Sequence, residues 1–388
     1  MLQLEREVVG IPNPPRTLTL YSEVLGETRR IYLQLPDNHA LTDRSYPVLL
    51  VLDGEWNFSL ARSHVQFYSE FAAMGVEIPK MIVVGIENLD RDVNYVPTPD
   101  RREEPQFPTA GKADEFLTFL SDELFPYLET HYRAAPNRTI AGWSFGGLFA
   151  CHAAATRPEL FHAYLCIGPS LWWDDNLPVK AFEKAAFDRP TRMVLTLGAE
   201  EVDGAVYDST KALLAALATS PIANLDITHL EFEGVGHGGG VPLAFARGLR
   251  ALFPGFRMQV QPETRLKDVE SYYAHLSEQW GFDVLPSPWV LQTLASNCWG
   301  ADLKQEAIAA LDWFIDRDPN DALTHAYKGI YLSRLEDTDA ARSSLSTALD
   351  LELSRDVPSG VYLRGIRKRL EEISPAGTQP SNDRTTLG

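Results

Sequence analysis

Cysteine is nearly missing from this sequence, with three among 388 residues, at Cys151, Cys166 and Cys298. An odd count with no close pair excludes a disulfide framework and a thiolate zinc site. No H-x-H or H-E-x-x-H spacing occurs either, so no metal is expected, and no other cofactor is implied. Apolar runs are short: none approaches the ~18 uninterrupted residues that a membrane-spanning helix needs, so no membrane role is expected. Cationic residues are outnumbered, 35 Lys and Arg against 53 Asp and Glu, leaving a formal charge of −18. A surface this acidic repels phosphate backbones and anionic lipid headgroups, which argues against nucleic-acid binding. The opening stretch MLQLEREVVGIPNPP has no basic segment followed by an apolar one. No secretory signal is read there, and a cytoplasmic location is expected.

What is present is ordinary globular material, 45% hydrophobic and 23% charged, with room for two domains of ~150 residues or more. Over residues 1–260 short β-rich runs alternate with longer mixed segments, the pattern of an α/β sheet of about eight strands. Strands are expected near 17–25, 30–36, 46–53, 81–87, 138–143, 163–168, 192–198 and 227–233. PVLLVLD and MIVVGI are apolar on both faces, as central parallel strands covered by helices should be. The first two strands, meeting at Gly26-Glu27, read as an antiparallel hairpin. A helix is expected over 112–132, where Phe116, Leu117, Leu120, Leu124, Tyr127 and Leu128 recur at helical spacing.

From 265 to 374 the strand signals stop and helix formers dominate. Ala307 and Ala341 stand 34 residues apart in similar contexts, with Gly329 and Tyr331 before the second copy and Pro319 after the first. Small residues at that period resemble tetratricopeptide helix pairs, although Phe314 replaces an expected small residue. An all-α domain is expected there, offering a surface for a protein partner or for self-association. Residues 375–388 are polar and rich in Pro and Gly, and are expected to be disordered.

The most informative stretch is Arg138-Thr-Ile-Ala-Gly-Trp-Ser-Phe-Gly-Gly147. It contains G-x-S-x-G as Gly142-Trp143-Ser144-Phe145-Gly146, preceded by a strand and followed by the helical LFACHAAATRP. This is the nucleophile-elbow context: a sharp turn exposes Ser144 Oγ, and the helix N-terminus aims the Phe145 amide at a developing oxyanion. Gly142 and Gly146 are expected where the turn leaves no room for side chains, and Gly147 where the helix meets a strand. A serine hydroxyl needs a base. Of nine histidines, His237 follows the last expected strand directly, in the loop Gly234–Gly240, while His275 and His325 lie in the helical segment beyond. The acid belongs after the penultimate strand, where Glu200, Glu201 and Asp203 all stand. A G-x-x-acid spacing from Gly198 favours Glu201. The second oxyanion amide is expected in Asp53-Gly54-Glu55-Trp56, with Glu55 favoured over Trp56.

At these residues the chain resembles the esterase family of α/β-hydrolases that includes ferri-enterobactin esterases, S-formylglutathione hydrolases, feruloyl esterases and mycolyltransferases. The similar stretches are 48–58, 83–99, 111–133, 140–173 and 231–253, in the family's order. The nearest likeness is to the siderophore-esterase branch. The resemblance implies an α/β-hydrolase fold, with Ser144 and His237 as nucleophile and base, and Phe145 and the Asp53-Gly54-Glu55 turn at the oxyanion positions. Trp143, where many relatives have histidine, and the Gly238-Gly239-Gly240 run depart from the pattern. Trp56, Arg91, Trp172 and Trp173 follow strands whose ends face the serine, so they are candidate substrate contacts for an aryl or siderophore-like small-molecule ester. The expected activity is ester hydrolysis. Acyl transfer at the same site, or a non-catalytic scaffold acting through the helical segment, are the alternatives.

Overall fold

The computed structural model describes residues 13–71, 76–201, 204–355 and 358–373. The segment expected to be disordered, 375–388, lies outside them. Chain contacts divide the described residues into two units: one runs to Met258 and resumes over Ser271–Leu285, and the other comprises Gln259–Glu270 and the residues from Pro286 onward.

The first unit is built on one eight-stranded sheet: β1 Arg16–Ser22, β2 Glu27–Gln34, β3 Tyr46–Val51, β4 Ile82–Ile86, β5 Ala134–Trp143, β6 Ala163–Ile167, β7 Thr191–Gly198 and β8 Leu225–Phe232. The spatial order is β1-β2-β4-β3-β5-β6-β7-β8. β2 runs antiparallel to β1 and β4, and β3 to β8 are parallel throughout. Every residue of β3, β4 and β6 is buried, as their two-sided apolar sequences require. Because six strands are parallel, the loops after β3, β4, β5, β6, β7 and β8 all gather at one edge of the sheet. That single fact assembles the site.

Two differences from expectation have local causes. β5 begins four residues earlier than the β-rich run, pairing Tyr46 with Ala134 before the register shifts ahead of Val48. Pro136 lies in this early segment, and proline, which has no amide hydrogen to give a ladder, sits at strand starts and irregularities. The helix expected over 112–132 is present as Ala113–Phe119 and Phe125–Tyr132, joined by a π-helical turn at Leu120–Leu124. Pro126 has no amide hydrogen for the regular ladder, so the turn widens just ahead of it.

In the second unit two helix pairs repeat with the same offset. Pro288–Gly300 and Ala322–Arg334 start 34 residues apart, as do Lys304–Ile315 and Thr338–Leu353. Ala307 and Ala341 are fully buried. A Cβ at Gly329 would come within 2.6 Å of Leu345 Cγ and 3.1 Å of the Ala341 carbonyl, so the small residues mark where helices touch.

Candidate active site

We label the three helices that frame the site α1 (Gly54–Gln66), α2 (Arg91–Tyr95) and α3 (Phe145–Thr156). Ser144 stands alone between β5 and α3, at φ 59° and ψ −115°. This is strained backbone for a residue with a Cβ, and such strain clusters at functional sites. A Cβ on Gly142 would lie 2.2 Å from the Gly146 carbonyl oxygen, so only glycine fits there. Gly147 brings α3 against the chain leaving β6, where a Cβ would stand 3.0 Å from Pro169 Cα and 3.1 Å from the Ile167 oxygen. Gly146 is different: its Cβ would meet Leu52 and Asp53 at an ordinary 3.5 Å, so the expectation of a second forbidden position is corrected. The turn crowds one side of the serine only.

The Ser144 amide donates to the Ile167 carbonyl at 2.9 Å, and its own carbonyl accepts from Ser170 N at 3.2 Å. Among the described residues the hydrogen-bond partner of Ser144 Oγ is the buried Ser170 hydroxyl, 3.3 Å away. Ser170 was not singled out from the sequence. Its only signal is its place three residues past β6, in Gly168-Pro169-Ser170.

His237 and Glu201 are brought together by two loops that zip against each other. Ala199 N donates to the Phe232 carbonyl at 2.8 Å and Glu200 N to the Val235 carbonyl at 3.0 Å, while Glu201 N closes its own turn onto Gly198 O at 3.2 Å. A side chain at Gly198 would strike Val235 O at 2.4 Å, so this approach requires glycine. Glu201 Oε2 lies 2.7 Å from His237 Nδ1, with the glutamate side chain 1% and the histidine 26% exposed. The imidazole passes over Gly168, close enough that a Cβ there would stand 3.2 Å from Nδ1 and Cε1. Trp143, adjacent to Ser144 in sequence, donates its indole N–H to the His237 carbonyl at 3.2 Å. With Nδ1 engaged by Glu201, Nε2 is the nitrogen left to exchange a proton with a nucleophile. Of the two other candidate acids, Glu200 is exposed and Asp203 lies outside the described residues.

Asp53 adopts a left-handed conformation (φ 52°, ψ 53°) and starts α1 at Gly54. A Cβ at Gly54 would be 2.8 Å from Gly85 C, so α1 can start this close to β4 only with glycine. The amides of Trp56 and Asn57 both bond to the Asp53 carbonyl at 3.0 Å. Those of Gly54 and Glu55, like Phe145 in α3, sit in the first turn, where a helix offers no acceptor. Asp53 is fully buried, and burial pushes its carboxyl up to about 6 against the opposing pull of Arg91.

The candidate substrate residues separate into kinds. Trp56 is 58% exposed and Trp172 is half-buried. Trp173 is only 2% exposed, packs on Phe107 and Phe145, and donates its indole N–H to Thr98 Oγ1 at 3.0 Å. It supports the wall from behind, which corrects its expected role as a substrate contact. Arg91 is bonded to Asp53 and to the Trp143 carbonyl.

The strand order, the six parallel strands and the serine on a strained strand-to-helix turn together define an α/β-hydrolase. The Esterase family model matches residues 22–229, more than half of the sequence, and the chain belongs to that family. It is 28% identical to the ferri-bacillibactin esterase BesA of Bacillus subtilis over 231 residues, 54% of this chain and 80% of that protein. Over 86 residues, 21% of this chain and 28% of the other, it is 40% identical to a siderophore enterobactin esterase of Emericella nidulans. Among solved structures, an IroE-like serine hydrolase from Shewanella oneidensis matches with a TM-score of 0.67 and 29% identity, covering 76% of this chain and 96% of that one. The protein is a carboxylic-ester hydrolase. No helix among the described residues is long and apolar enough to cross a membrane.

Proposed function

We propose that the chain hydrolyses esters through an acyl-enzyme on Ser144. His237 takes the Ser144 proton through Nε2 as Oγ attacks the carbonyl carbon. The Phe145 and Glu55 amides receive the oxyanion, and His237 returns the proton to the departing alkoxide. Water, activated by the same imidazole, then releases the acid. Glu201 holds the imidazole tautomer and stabilises the imidazolium without accepting the proton. The observation that carries this reading is the 2.7 Å Glu201–His237 pair beside the elbow. Since Ser144 Oγ rests on Ser170, a rotation of the serine side chain toward the imidazole belongs to the reaction.

A fluorophosphonate probe should label Ser144 and no other residue, read by peptide mass spectrometry. Glu201→Gln should label about 10² to 10⁴ times more slowly with an unchanged melting temperature, since it removes the charge opposite the imidazolium. Labelling at another serine, or an unaffected rate in Glu201→Gln, would refute the assignment.

For the substrate we infer an aryl-bearing siderophore ester, in keeping with relatives named as a ferri-bacillibactin esterase and a siderophore enterobactin esterase. The exposed Trp56, which shares the Arg91 guanidinium with Trp143, and the half-buried Trp172, its ring 6.3 Å from that of Phe145, support it by offering aromatic surface beside the elbow. On a panel of enterobactin, ethyl ferulate and p-nitrophenyl acetate, kcat/KM should be at least ~10-fold higher for the trilactone, and Trp56→Ala should erase most of that margin, as losing one aromatic contact allows. A flat ranking would sink the substrate assignment while leaving the mechanism intact.

A further inference from the structure

Arg91 opens α2, and its place is set by the cap ahead of it: Asp90 Oδ1 accepts the Asp92 and Val93 amides, both at 3.1 Å. From there the guanidinium reaches two other loops at the carboxyl edge of the sheet. Nη2 donates to Asp53 Oδ2 at 3.1 Å and to the Trp143 carbonyl at 3.0 Å, while Nε lies 3.1 Å from Asp53 Oδ1. The rings of Trp56 and Trp143 flank it at 5.7 and 5.5 Å. Asn88, from the same loop, adds a side-chain bond to Asp53 Oδ1 and a backbone bond to Glu55 Oε2, both 3.0 Å.

The sequence positions of these acceptors matter. Asp53 stands two residues before Glu55, and Trp143 two residues before Phe145. One planar cation is thus bonded just upstream of each backbone amide assigned to the oxyanion. We propose that Arg91 is a positioning residue for ester hydrolysis, tying Asp53 to the Trp143 carbonyl so that the Glu55 and Phe145 amides keep the spacing an oxyanion between them requires. This rests on the acyl-enzyme reading above. A guanidinium suits the task because its donors point in fixed directions toward two acceptors at once, whereas an ammonium is a single point of charge. A role as a direct substrate ligand fits less well, since the side chain is only 22% exposed, Nη2 already donates to two acceptors and Nε is held within ion-pair distance of Asp53.

The test uses p-nitrophenyl acetate, which carries no anionic or catechol group for a guanidinium to hold. Arg91→Met should lower kcat about 100-fold, the scale of a misplaced oxyanion donor, with KM within about threefold of wild type. Arg91→Lys, which keeps the charge and guards against a folding failure, should lose about 10-fold, keeping the charge but only part of the two-way hold. Asp53→Asn should also lower kcat, and the double variant Asp53→Asn/Arg91→Met should be no worse than Arg91→Met alone, because both break one connection. Wild-type kcat on this ester, with a raised KM confined to catechol-bearing esters, would make Arg91 a substrate ligand and overturn the proposal. So would losses that add in the double variant and track the melting temperature. Turnover that survives Ser144→Ala would overturn the acyl-enzyme reading itself, an outcome distinct from either.

Discussion

Ser144→Ala is expected to lower kcat for p-nitrophenyl acetate by about 10⁵ to 10⁶, the loss seen when the nucleophile of a serine hydrolase is removed and only binding and oxyanion donors remain. The fold should survive, because alanine keeps the Cβ and the backbone bonds to Ile167, Leu148 and Ser170 do not involve the hydroxyl. Ser144→Gly separates chemistry from strain. At φ 59° and ψ −115° a Cβ is held in a region where residues other than glycine pay about 1–3 kcal/mol. The glycine variant should therefore be as inactive as the alanine variant yet melt at a higher temperature. Calorimetry beside an esterase assay reads both. Retained turnover in either variant would remove Ser144 from the mechanism, and a lower melting point in Ser144→Gly would show that the turn is not strained.

The largest structural effect is expected at Gly142. A methyl group there would lie 2.2 Å from the Gly146 oxygen and 2.3 Å from its carbonyl carbon, both backbone atoms held by β5 and α3. No rotamer change relieves that overlap, so the elbow must open. Gly142→Ala should destabilise the first unit by at least ~4 kcal/mol, beyond the usual range for overpacking. That corresponds to a melting shift of roughly 8 °C or more, or to loss of soluble protein. Gly146→Ala is the control. Its Cβ meets neighbours at 3.5 Å, and alanine favours the helix by up to ~1 kcal/mol, so its melting point should be unchanged or raised. Equal melting points for the two variants would contradict the crowding inferred for the turn.

Much of the first unit is legible without coordinates because its strands are buried on both faces. Such strands must be written as runs like PVLLVLD and MIVVGI, which polar loops then punctuate. The elbow is legible for a similar reason: a turn this tight admits only a narrow set of residues, so Gly142, Ser144 and Gly147 announce themselves by spacing. Glu201 is a nearer thing. Three carboxylates stand within four positions, and what singles one out is the approach of the 199–201 and 235–237 loops through Gly198. Sequence offers Arg91 only as a candidate substrate contact, because the acceptors it bonds lie 38 and 52 residues away and leave no mark on local spacing.

The sequence by itself determined the fold class, the strand run and the presence of a serine on a sharp bend, because each is written in local spacing and burial pattern. Tertiary structure alone decided which side chains stand together: Ser170 under the serine, Trp173 behind the wall instead of on it, and one guanidinium spanning the ends of two strands. Those pairings depend on strand order, and the order β4-β3-β5-β6 places loops from distant parts of the chain side by side. A one-dimensional pattern records what each segment must bury, and has no term for which segments become neighbours.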